Sequence, residues 1–63
     1  MRQLLTLSET AELLQIPVKS LYSQRSRSEP PGSLGVRIGR YVRFRPEDLD
    51  EWLTKQRAGH GRQ

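Results

Sequence analysis

Val36-Arg37-Ile38-Gly39-Arg40-Tyr41-Val42-Arg43-Phe44-Arg45-Pro46-Glu47-Asp48 changes its rhythm in the middle. Up to Phe44, apolar Val36, Ile38, Val42 and Phe44 alternate with basic Arg37 and Arg43, the pattern of a half-buried β-hairpin turning at Gly39-Arg40. From Pro46 the signals are those of a helix N-terminus: proline at the first helical position, then acids where the helix dipole favours them. Two hairpin registers fit. A two-residue turn pairs Ile38 with Tyr41. A three-residue loop, Gly39-Arg40-Tyr41, sets Ile38 opposite Val42 and Val36 opposite Phe44, and it is preferred because all four apolar residues then share one face. Either way Arg40 stands at the tip.

Downstream, Leu49, Trp52, Leu53 and Gln56 recur at i, i+3, i+4, i+7, which makes one apolar helix face and places Trp52 in the core. Gly59 ends this helix. Residues 58–63 read as a flexible polar tail, leaving 1–57 as the single domain. Upstream, Ser28-Glu29-Pro30-Pro31-Gly32-Ser33-Leu34-Gly35 is a loop by composition. Before it a helix is expected from Val18 to Arg27, with only Val18, Leu21 and Tyr22 apolar. Pro17 breaks the chain at Ile16 and suits the start of that helix. A first helix is expected over about residues 9–15, capped by Ser8 with Glu9 in its first turn, on the spacing of Leu7, Ala11, Leu13 and Leu14.

Charge is unevenly spread. Of the net +4, Lys19 to Arg45 holds seven basic residues (Lys19, Arg25, Arg27, Arg37, Arg40, Arg43 and Arg45) against one acid, Glu29. A concentrated basic surface suits a polyanion, because neutralised phosphates release counterions. The plainer alternative is a solvated arginine-rich face. Two short helices joined by a tight turn, the second polar and basic, are the layout in which the second helix enters the DNA major groove. Its exposed face would offer Lys19, Ser20, Ser23, Gln24, Arg25 and Arg27 as donors to base edges and phosphates. An ordinary amphipathic helical hairpin is the alternative. The hairpin, with Arg37, Arg40 and Arg43, reads as a wing reaching phosphates or the minor groove. Surface hairpins also carry charge merely to discourage edge pairing. Tyr22 and Tyr41 fit either partial burial or hydroxyl donation to phosphate.

Other chemistries find little footing. The 63 residues leave no room for an enclosed multi-residue active site. There is no cysteine for a disulfide or a zinc-thiolate site, in keeping with a reducing cytoplasm. His60 stands in the tail without a nucleophile or acid nearby, so neither catalysis nor metal binding is expected. No cofactor, small-molecule substrate or membrane partner is expected either: no apolar run approaches the roughly 20 residues of a membrane span. Met1 has the look of a natural start rather than the head of a signal peptide.

With these residues in place, a family resemblance emerges. Leu5-Thr6-Leu7-Ser8-Glu9-Thr10-Ala11-Glu12-Leu13-Leu14-Gln15-Ile16-Pro17 resembles the opening helix and turn of small excisionase-type, MerR-like winged helix-turn-helix proteins. Ser20-Leu21-Tyr22 resembles the start of their recognition helix. Val36 to Leu53, with its Ile-Gly-Arg turn and Arg-Pro-Glu-Asp-Leu…Trp-Leu run, resembles their wing and last helix. The likeness covers roughly residues 4–54. Three features depart from it: Gln24 stands where many members have a bulky residue, Pro17 replaces a common serine cap, and the Pro30-Pro31-Gly32 loop is longer than in the shortest members.

The resemblance implies an α+β winged helix-turn-helix fold and an architectural protein of a bacterial host cell. Such a protein binds double-stranded DNA beside a phage attachment site, bends it, and directs an integrase toward excision without recombinase chemistry. Other copies of itself on adjacent sites would be partners, through the acids of the last helix (Glu47, Asp48, Asp50, Glu51) and the basic Arg57 and Arg62. A small transcriptional regulator of the same fold is the alternative within the class. A protein-interaction adaptor with a basic face is the alternative outside it.

Overall fold

The computed structural model describes the backbone of residues 3–59 and the side chains of residues 3–56. Its elements run α1 (Leu7–Leu14), α2 (Val18–Ser26), a single 3₁₀ turn (Gly32–Leu34), β1 (Val36–Ile38), β2 (Tyr41–Arg43) and α3 (Pro46–Gly59). Three helices and an antiparallel two-stranded hairpin make the expected small α+β winged helix-turn-helix.

Helix α1 begins two residues earlier than expected. The Thr6 hydroxyl accepts from the Glu9 N–H at 3.0 Å, and the Glu9 carboxylate accepts from the Thr6 N–H at 2.9 Å. This reciprocal box satisfies two end groups at once, which Ser8 cannot do from inside the first turn. Gln15 closes the helix in the left-handed conformation, φ 59°, and the Ile16 N–H reaches back to the Ala11 carbonyl at 3.0 Å. Pro17 then occupies the N-cap of α2 in an extended conformation, its carbonyl accepting from the Ser20 N–H at 3.0 Å. The two helices are thus separated by a turn of a few residues, short enough to pack them against each other.

The hairpin register differs from the one preferred on sequence. Ile38 pairs with Tyr41, Arg37 with Val42 and Val36 with Arg43, around the two-residue turn Gly39-Arg40. Gly39 takes φ 62° and Arg40 does not share its positive φ, as a type II′ turn requires. The second strand is also anchored at its far end, where Leu5 and Phe44 exchange backbone hydrogen bonds of 2.9 and 2.8 Å. Phe44 faces the core with Val42 on its side of the ribbon. Val36, Ile38 and Tyr41 consequently lie on the other side, exposed. The four apolar residues do not share a face, because the turn and the Leu5 bridge set the register rather than apolar patterning.

Fully buried Leu21, Phe44 and Leu49, with Ala11 and Thr10, form a core to which each helix and the second strand contribute. Thr10 was not expected there, and its hydroxyl oxygen has no hydrogen-bond partner. On α3 the predicted stripe is only partly realised. Leu49 is enclosed, Trp52 is half-buried rather than central, and Leu53 is 43% exposed. The helix still holds at Ala58 and Gly59; the rest of the expected tail, His60 included, lies outside the described residues, as do the side chains of Arg57 and Arg62. No helix among the described residues is long and apolar enough to cross a membrane.

Candidate nucleic-acid interface

Leu21 is the anchor from which the faces of α2 follow. It is fully buried, so residues about 180° around the helix point to solvent. Lys19, Ser23 and Ser26 fall there, with Tyr22 at the edge of that face, and all are exposed. Ser20, Gln24 and Arg25 flank Leu21 and are half-buried.

The inner flank holds the loop that leads to the hairpin. The Gln24 side-chain carbonyl accepts from the Gly32 N–H at 2.9 Å. Arg25 Nη1 donates to the carbonyls of Gly32 and Gly35 at 3.2 and 3.3 Å. Both glycines are required by space: a Cβ on Gly32 would stand 2.6 Å from the Leu21 carbonyl oxygen, and one on Gly35 would meet Phe44 Cζ at 2.9 Å. The chain therefore presses directly onto α2, and Arg25 ties the helix to the base of β1. Gln24 thus supplies an acceptor for the loop amide of Gly32.

On the outer face, Arg27 Nη1 donates to Ser23 Oγ at 2.8 Å while its Nε pairs with Glu29 at 3.0 Å. These groups are exposed, so the pair contributes little to stability, but it holds Arg27 beside Ser23. Lys19, one turn before Ser23, forms no ion pair among the described residues.

In the hairpin, Arg37 Nε donates to the Gly39 carbonyl across the turn at 3.0 Å. Arg43 Nη1 donates to the Val42 carbonyl at 2.8 Å, with its guanidinium 5.2 Å from the centre of the Tyr41 ring. Arg40, at the tip, is exposed and makes no ion pair among the described residues. Arg45 is different: its guanidinium grips Asp48 through two bonds of 2.8 Å at the start of α3. That hydrogen-bonded pairing raises the Arg45 pKa and lowers that of the Asp48 carboxyl.

The family model of the helix-turn-helix domain matches residues 4–57. The chain belongs to the helix-turn-helix domain family. Comparison with curated proteins and with solved structures gave no significant match. Membership makes the chain a DNA-binding domain, α1 and α2 being the helix-turn-helix and α2 the helix in the position of the reader.

Set against the sequence expectations, the structure gathers Lys19, Ser23 and Arg27 on the outer face of α2. It collects Arg37, Arg40 and Arg43 on the hairpin. It turns Ser20, Gln24 and Arg25 toward the protein instead. Ser26 carried no signal of its own in the sequence, but a helical wheel centred on Leu21 places it on the outer face; Tyr22, read from sequence as partly buried or as a hydroxyl donor to phosphate, is exposed at the edge of that face. The structural use of Gln24 and Arg25 had one signal, the two glycines of the following loop, which allow close backbone approach.

Proposed function

We propose that this helix-turn-helix domain reads duplex DNA with Lys19, Ser23 and Arg27 in the major groove while Arg40 meets phosphate or the minor groove. The observation that carries the reading is the pair of unneutralised cations, Lys19 and Arg40, on the outer face of the second helix and on the wing tip. Arg37 and Arg43 add phosphate contacts along the wing. Ser20, Gln24 and Arg25 contribute indirectly, by fixing the loop and hairpin against α2. No cofactor, metal, small-molecule substrate or catalytic step has a part in this reading.

Within that activity we infer an architectural role, that of an excisionase acting with an integrase on attachment-site DNA in a bacterial cytoplasm. The support is the run from Val36 to Leu53, which resembles the wing and last helix of such proteins. Assembly of adjacent copies would use the acids of α3, although Asp48 is already engaged by Arg45 and Glu51 by Lys55 at 3.6 Å, and Asp50 is not free either. Glu47 is the acid best placed for a neighbour.

Two measurements test the two levels. Affinity for duplex DNA should fall linearly with salt on logarithmic axes, with a slope near −0.9 for each phosphate neutralised; a flat dependence would remove the DNA reading in favour of a protein-binding adaptor. Excision reconstituted with the integrase of the same genetic element should require the protein. If excision proceeds equally without it, while the protein still binds DNA at a promoter, the transcriptional-regulator role replaces the excisionase role.

A further inference from the structure

Lys19, Ser23 and Arg27 follow each other at i, i+4 and i+8, and a 2.8 Å bond makes Arg27 and Ser23 neighbours. About a quarter turn away, on the flank between that row and Leu21, runs a second row, Val18 and Tyr22, also i and i+4 and so within contact distance of each other. Both side chains of this row are apolar or largely so, and both face solvent: Val18 is 37% exposed and Tyr22 59% exposed. Neither is enclosed in the core, to which this helix gives Leu21 as its fully buried residue.

An apolar row next to a donor row matches one base-pair edge in particular. In the major groove, thymine presents its C5 methyl beside the O4 acceptor, with adenine N7 a further acceptor across the pair. Cytosine offers a donor and no methyl, and guanine offers acceptors without one. We infer that Val18 and Tyr22 form an apolar seat for thymine methyl groups, making them specificity-determining residues while Lys19 and Ser23 serve the neighbouring acceptors. The inference rests on α2 entering the major groove. The basic surroundings select the occupant: Lys19 on the same face and Arg27 at its end favour a polyanion over an apolar peptide. The Tyr22 ring acts here through its face or edge, and its hydroxyl is dispensable.

The test removes methyls from the DNA and rings from the protein. Duplexes retained by the full chain are selected from a random pool, and each thymine of the retained site is replaced in turn by uracil, which lacks only the C5 methyl. At one or two positions uracil should weaken binding about fourfold, the equivalent of one buried carbon. Tyr22→Ala or Val18→Ala should weaken binding to the thymine duplex and lose the distinction at the corresponding position. Tyr22→Phe should keep it. Helical circular dichroism confirms that the variants fold, which their exposure leads us to expect. Binding that no thymine-to-uracil change affects overturns the seat, as does a methyl effect that survives in both alanine variants. Equal loss in Tyr22→Phe and Tyr22→Ala assigns Tyr22 to a phosphate through its hydroxyl and also overturns it. A pool from which no sequence is enriched fails the underlying DNA reading as well, and so is distinct from these.

Discussion

The guanidinium of Arg25 lies 3.3 Å from the carbonyl of Gly35 and so fastens the second helix to the root of the hairpin. The second helix and the hairpin are thereby tied together, and Arg25 helps to set their spacing. A long cation on this helix would otherwise be taken for a DNA contact.

Arg25→Met separates these roles. Hydrogen bonds made by charged groups contribute about 1.5–3 kcal/mol, and this side chain is half-buried, so denaturant unfolding should show a loss of about 1–3 kcal/mol. DNA affinity should drop because the wing is no longer held, yet the salt slope should stay the same. A slope lowered by roughly 1 with stability intact would instead make Arg25 a phosphate contact.

Arg40→Ala should do the reverse. At an exposed tip with no ion pair among the described residues, the side chain supports nothing in the fold. Thermal unfolding should be unchanged, while the salt slope on duplex DNA falls by roughly 1 and affinity weakens about equally for cognate and random sequences. An unchanged slope would make the hairpin's charge a matter of solubility alone.

Burial separates two residues that the helical spacing treats alike. Leu49 is fully enclosed, and Leu49→Ala should remove about 2–5 kcal/mol. A domain of this size has roughly 3–9 kcal/mol in all, at about 0.05–0.15 kcal/mol per residue, so that variant should lose about half of its stability. Trp52 is half-buried, and Trp52→Ala should fall below the usual range of about 3–5 kcal/mol for a core tryptophan and leave a folded, less stable protein. Denaturation followed by circular dichroism ranks the two, and a larger loss for Trp52 would contradict the ranking.

What the sequence reveals depends on how local the cause is. The positions of α2, the hairpin and α3 follow from Pro17, Gly39 and Pro46-Glu47-Asp48, whose effects act within a turn of chain. The start of α1 is equally legible, since Thr6-Leu7-Ser8-Glu9 spells a capping box, although Ser8 offers a competing cap two residues on. The hairpin register was not, because Leu5, far away in sequence, holds Phe44 in place. The same holds for the site. Lys19, Ser23, Arg27 and Arg40 project outward as their helical and turn positions require. Gln24 and Arg25, three and four residues after buried Leu21, stand on the inner flank by periodicity; what they bond there is set by a loop that folds back over α2, a tertiary contact that no periodicity records.

Thr10 offers a test of packing. Its hydroxyl is buried without a partner, and a buried unsatisfied polar group costs about 1–3 kcal/mol. Thr10→Val keeps the shape and removes the hydroxyl. It should raise stability by about 1 kcal/mol, seen as a higher denaturant midpoint with an unchanged m-value. A destabilised Thr10→Val would show that the hydroxyl has a partner, such as bound water.

Asp48 sets the acid limit of α3. Its hydrogen bonds from Arg45 hold the carboxyl below its ordinary pKa of 3.8. A group whose folded pKa is depressed stabilises the fold above its unfolded pKa, and that contribution is lost as pH falls through the folded value. Arg45, raised from an already high value, stays charged throughout and adds no pH dependence of its own. The stability supplied by the pair should therefore be constant from neutrality to about pH 5 and decline below pH 4. Asp48→Asn should lower stability at neutral pH and flatten this acid limb, with only a small effect in absolute terms because the pair is at the surface. Urea midpoints measured from pH 7 to pH 2.5 for both proteins provide the comparison. Curves that stay parallel down to the lowest pH would mean that the acid limb belongs to other carboxylates, and that Arg45 is held at the head of α3 by the backbone alone.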